Sequence, residues 1–210
     1  MAVEVKEALS LIDQHIKKCG YEIVPIEISI GSISAQEIFA EHFMPRYNNS
    51  AMDGYGVKFE DAGESVKVID TILAGSKKTT KIKNGSVVKI MTGARVPKSV
   101  DAVVPQELVK IIDKKIIQLP DTIIPFSHIR FVGEDIKNGE LLIAEGDEIN
   151  AAKITLLASQ GVTHIKVFKK PKVTVFASGE ELKLHYKNVK KYQIYNSNTP
   201  TLIARAKELG

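Results

Sequence analysis

The sequence predicts a mixed α and β protein of more than one domain, and three observations carry that expectation. Helical periodicity is confined to three short stretches, one near the start, one just past residue 150 and one past residue 198. Between residues 57 and 119 the chain runs instead as short Val- and Ile-rich segments broken by turn residues, which reads as a small β-rich module. From residue 171 the pattern changes again, to an apolar run, a Ser-Gly-Glu-Glu loop and an amphipathic segment.

In chain order, Val5, Leu9, Ile12 and Ile16 place one apolar stripe along a helix, and Gly20 is its expected left-handed stop. Residues 21–30 partly alternate, as a half-buried strand does, with Pro25 favouring an edge or a bulge. A short amphipathic piece follows around residues 34–40, and residues 45–56 are polar and loop-like at their start. Strands are predicted over 66–73, 86–92, 102–112 and 115–119, with Asp113-Lys114 as a hairpin turn. Residues 126–149 read as a further strand pair turning at Asn138-Gly139. Asn150 is a good N-cap for a helix through Ile154, Leu157 and Ala158, with Ile149 and Ile154 as a hydrophobic staple and Gly161 as its end. Residues 172–177 are a predicted strand. Thr199 then caps a last helix, with Pro200 at its first position. A strand and crossover helix normally continue into a parallel partner strand. The expectation is therefore an α/β domain incomplete within these residues, by truncation or because the remainder is supplied elsewhere.

Composition excludes several classes. With 44% hydrophobic and 26% charged residues the chain is neither disordered, collagen-like nor a disulfide-stapled miniature. No apolar run is long enough to span a bilayer, and the acidic, amphipathic opening lacks the layout of a secretory signal. The single Cys19 has no internal partner, so a reducing, cytoplasmic setting is expected. The net charge is +4, a weak argument for nucleic acid. Its excess is local: eight lysines and two glutamates lie between Lys166 and Tyr192, whereas the other positions carry 21 positive and 23 negative residues. Aromatics are only 6% and do not interleave with those lysines, so no nucleic-acid partner and no membrane partner is expected.

No glycine-rich phosphate loop of a known pattern is present, and the five histidines have no ligand spacing, so no metal ligands are assigned. Three segments carry chemistry. Ser50-Ala51-Met52-Asp53-Gly54 sets a hydroxyl and a carboxylate three apart, fit to bind a cation, act as a base or orient a ligand; the plain alternative is a turn bonding its own backbone. Met91-Thr92-Gly93-Ala94 puts a hydroxyl and a flexible backbone at a strand end, again with a simple turn as the alternative. Ser178-Gly179-Glu180-Glu181 follows the first strand of the expected α/β unit, where such sheets bind ligands, though a solvated acidic turn would look the same.

Taken in order, P-R-Y-N-N-S-A-M-D-G-Y-G, K-I-M-T-G-A-R-V-P-K-S-V-D-A-V-V-P-Q-E, R-F-V-G-E-D-I-K-N-G-E-L-L and A-S-G-E-E-L resemble successive motifs of the MoeA/gephyrin family, the molybdopterin molybdenumtransferases. The resemblance covers essentially the whole chain and the family's N-terminal half. It implies a modular, elongated fold: a linker region over 1–47 and 125–170 with the N-terminal helix, an inserted β-rich domain over 48–124, and the beginning of an α/β molybdopterin-binding domain over 171–210. It implies insertion of molybdate into adenylylated molybdopterin with release of AMP and with Mg²⁺ as cofactor. Asp53, Thr92 and Glu181 match the family's functional positions, for cation or water positioning, an oxyanion contact, and a metal or substrate contact respectively. Ser50, Gly93, Ser178, Glu180 and Asn198 are the implied substrate-binding residues. Arg95 stands where the family often has proline, Glu180 where it often has aspartate and Ser178 where threonine is common. A homodimer sharing its active site between subunits is implied, with a molybdopterin adenylyltransferase as upstream partner. The alternative within the family is a non-catalytic dimerising or scaffold module.

Overall fold

The computed structural model describes residues 3–210 and has the expected mixed α and β class; Met1 and Ala2, which begin the amphipathic opening segment, lie outside the described residues. Its elements are α1 (Val5–His15), β1 (Tyr21–Pro25), β2 (Ile38–Phe39), β3 (Asn49–Ser50), β4 (Gly54–Val57), β5 (Ser65–Ile72), β6 (Ser86–Ile90), β7 (Ala102–Pro105), β8 (Lys110–Ile111), β9 (Ile116–Gln118), β10 (Ile129–Arg130), β11 (Leu141–Ile143), α2 (Ala151–Ser159), β12 (His164–Phe168), β13 (Leu182–Lys183), β14 (Ile194–Tyr195) and α3 (Asn198–Glu208). The chain forms two compact units. One combines residues up to 38 with 142–210, and the other is residues 39–141.

The 39–141 unit is built on a six-stranded sheet of order β7-β4-β6-β5-β9-β8. Every neighbouring pair is antiparallel except β5 and β6. A parallel pair needs a long connection, and the irregular residues 73–85 supply it. Both faces of the sheet are covered. Tyr55, Val57, Val87, Ala102 and Val104 pack into one cluster, whereas Val88, Ile90 and Val103 join Ala94, Val96 and Val100 in the other. Alternate residues of one strand thus feed opposite cores, which is why β6 and β7 read as continuous apolar runs. The predicted strands 66–73, 86–92 and 115–119 sit on β5, β6 and β9, and Asp113 caps the β8–β9 turn by accepting from the Lys115 and Ile116 N–H groups. The 102–112 run is interrupted after Pro105 by a single 3-10 turn.

In the other unit β1 pairs antiparallel with β12, and Ile26, Ile38, Ile143, Ile149, Leu157, Ile165 and Val167 form the core. Asn150 caps α2 as expected, its side chain accepting from the Lys153 N–H at 3.0 Å.

Five expectations about elements are corrected. Helix α1 stops at His15 because Ile16 turns extended, and Gly20 does not take a positive φ. The 21–30 strand ends at Pro25 and continues as a 3-10 turn, Ile26–Ile28. Residues 126–149 make no hairpin: β10 pairs with β3, whose Ser50 and Asn49 face Ile129 and Arg130. Residues 172–177 are irregular and mostly exposed, and the parallel pair of this region is β13 with β14. Helix α3 begins one residue before Thr199, and its opening turn is held by Asn196, whose side chain accepts from the Thr199 N–H.

Candidate functional site

Strand β4 is an interior strand, with β6 and β7 on either side, and its first residue is Gly54. A Cβ at Gly54 would lie 2.2 Å from the Val104 carbonyl oxygen, so only glycine lets β7 approach this closely. The pairing of Gly54 with Ile90 sets Asp53 beside the end of β6, where Met91–Ala94 forms a turn closed by the Ala94 N–H donating to the Met91 carbonyl at 2.9 Å. That turn requires a positive φ at its third residue, and Gly93 provides +75°.

The two motifs meet here. Thr92 donates both its backbone N–H and its hydroxyl to Asp53 Oδ1, each at 2.7 Å. Gly93 donates its N–H to the Ser50 carbonyl at 2.8 Å, and Ser50 donates its N–H to Ala94 O at 3.0 Å. The Ser50 hydroxyl donates to Met52 O, and the Gln106 N–H donates to the Asp53 carbonyl. Asp53 is thereby fixed while remaining exposed. The Thr92 N–H, the Thr92 hydroxyl and the more distant Lys89 charge together hold its carboxyl below the usual aspartate range. Period-two alternation puts Lys89, opposite Tyr55, on the face that Asp53 extends.

Oδ2 of Asp53 takes no hydrogen bond from the described residues. A free carboxylate oxygen in solvent suits a cation that keeps most of its water. No group of three or more His, Cys, Asp or Glu side chains that could cage a metal exists among the described residues. This donor set fits Mg²⁺, which binds through one or two carboxylates together with water and substrate phosphate. The Thr92 proton, by contrast, is directed at Asp53. In this geometry Thr92 orients the carboxylate and has no hydroxyl proton left for an anion.

The remaining residues lie in the other unit. Glu181 is exposed just before β13, its backbone carbonyl accepting from the Ile194 N–H of β14 at 2.9 Å. Its carboxylate lies against Gly179, where a Cβ would come within 2.7 Å of it. Ser178 and Glu180 are exposed in the same loop, and Asn198 is the first residue of α3. Sequence reasoning missed Gln106 and Lys89 as supports of Asp53. The charge that Lys89 sets into the apolar run between Val88 and Ile90 is the signal that could have found it.

Comparison with known proteins adds three findings. Residues 3–161 match the family described as MoeA N-terminal region, domains I and II. Molybdopterin molybdenumtransferases of Staphylococcus epidermidis and Staphylococcus aureus are each 35% identical over 99% of this chain and 51% of their own length. The chain thus spans about half the length of the curated relatives it matches. A crystal structure of the molybdopterin biosynthesis MoeA protein of Pyrococcus horikoshii OT3 superposes with a TM-score of 0.87 at 29% identity, over 99% of this chain and 57% of that one. Another crystal structure of a molybdopterin biosynthesis MoeA protein from Pyrococcus horikoshii has a TM-score of 0.83 at 32% identity, covering 100% of this chain and 55% of that one.

Proposed function

Because the chain belongs to the MoeA family by its N-terminal region, we propose that it serves molybdenum cofactor biosynthesis, contributing Asp53 to a site that inserts molybdate into adenylylated molybdopterin and releases AMP. The observation that carries this reading is the exposed, ionised Asp53 carboxylate fixed by Thr92 at the junction of two motifs. A carboxylate held more acidic than usual is a weak base, so it is better suited to hold a cation or orient water than to abstract a proton. Bound Mg²⁺ neutralises phosphate charge, and Asp53 Oδ2 is the atom of this chain that would hold it. Thr92 is a positioning residue, and Gly93 sets the turn that aims its N–H.

In the reaction water adds across the anhydride bond to the adenylate, giving AMP and the pterin's phosphate, and molybdate exchanges two oxygens, which leave as water, for the two dithiolene sulphurs of the pterin. Glu181 is proposed as a second carboxylate for metal or substrate, with Ser50, Gly93, Ser178, Glu180 and Asn198 as binding residues. A molybdopterin adenylyltransferase would supply the substrate, and a homodimer would share the site between subunits. With adenylylated molybdopterin, molybdate and Mg²⁺ supplied, Asp53→Asn is expected to slow AMP release by about a hundredfold or more while the chain stays folded by circular dichroism. Unchanged AMP release would remove Asp53 from the site.

A further inference from the structure

The 39–141 unit also contains a cavity of about 610 Å³, within the range of roughly 300–1,000 Å³ usual for small-molecule sites. Its position follows from the backbone. The Val96 N–H donates to Asn48 O at 2.9 Å and Asn49 bridges Arg95 antiparallel, so residues 46–48 and 95–98 run side by side. Arg46, Arg95 and Lys98 line it from these two strips, and Lys81 joins them from the β5–β6 connection. Among the described residues none of these four cations has an ion pair or a side-chain hydrogen bond, and no Asp or Glu lines the cavity. A fifth cation, Lys78, is already neutralised by Asp70 at 2.7 Å. Four like charges around one concavity repel one another, and a multiply charged anion removes that repulsion.

The other lining residues argue for an organic anion. Tyr47, Pro97 and Val132 give the cavity an apolar wall, which a bare oxyanion would leave facing water. Tyr47 is the single aromatic side chain in the lining, so the row of stacking platforms that a nucleic-acid strand uses is missing. We infer that this cavity binds a phosphorylated small molecule, its phosphate on Arg46, Arg95, Lys81 and Lys98 and its organic part against Tyr47, Pro97 and Val132. Guanidinium groups suit the task because they meet phosphate oxygens two at a time. Asp53 and Thr92 do not line the cavity, and the inference does not rest on the proposed reaction.

Phenyl phosphate is a suitable probe, since it joins a dianion to an apolar ring and is neither substrate nor product of that reaction. Calorimetric titration of the 210-residue chain in low salt should show one saturable site. Phenol and inorganic phosphate should each bind at least about tenfold more weakly. Arg46→Ala with Arg95→Ala should weaken phenyl phosphate by at least about tenfold, with circular dichroism confirming the fold, while Asp53→Asn binds it as the unsubstituted chain does. The inference is overturned if the double variant binds phenyl phosphate unchanged, if inorganic phosphate binds equally well, or if only Asp53→Asn loses binding.

Discussion

Asp53 is exposed and yet more acidic than a free aspartate, because two donors from Thr92 favour its charged form. The sign of the linkage follows. Its contribution to stability is complete above the ordinary value of 3.8 and is lost as pH falls through the lower folded-state value. Replacing Thr92 by Val deletes the hydroxyl donor and keeps the backbone one. The Asp53 carboxyl should then titrate at a higher pH, part-way back to 3.8, when followed by carbon NMR; an unchanged titration would show that the hydroxyl does not hold it. At this scale the identities of Asp53, Thr92 and Gly93 were legible in the sequence. Their mutual bonds were not, because they join residues 39 positions apart.

At the scale of the element, β6 is both the centre of the sheet and the support of the Thr92 turn. Ile90 ends it fully buried, among Val88, Val103 and Ala94. Ile90→Ala should cost about 2–5 kcal/mol, read as faster amide exchange across β4 and β6, with α2 unaffected if the separate clusters behave as separate cores. Strands β5, β6 and β9 were legible as Val- and Ile-rich runs. Strand β4, Gly-Tyr-Gly-Val, was hidden, since its two glycines suppress the strand pattern while serving the close approach of β7 and Val100. Residues 172–177 misled in the opposite direction. Their apolar run has no ladder partner among the described residues, and a strand is defined by its partner as much as by its side chains.

For the whole molecule α1 is an element whose apolar face is left uncovered. Its stripe of Val5, Leu9 and Ile12 is between 51% and 73% exposed, and no residue of the helix is buried. Such a face supports the proposed homodimer, since apolar residues at helical spacing are stabilised when a partner covers them. Leu9→Glu with Ile12→Glu should convert a dimer to a monomer by light scattering, and a monomeric unsubstituted chain would refute the role given to α1. The sequence by itself determined the class of the fold, the motif residues and the Asn150 cap, because these depend on local spacing and side-chain chemistry. Only the tertiary structure decided that Asp53 is held by Thr92, that β5 and β6 run parallel, and that Arg46, Arg95, Lys98 and Lys81 converge on one cavity. Each of those depends on strand register between distant segments, and register is set by which faces the whole sheet buries rather than by any one stretch of chain.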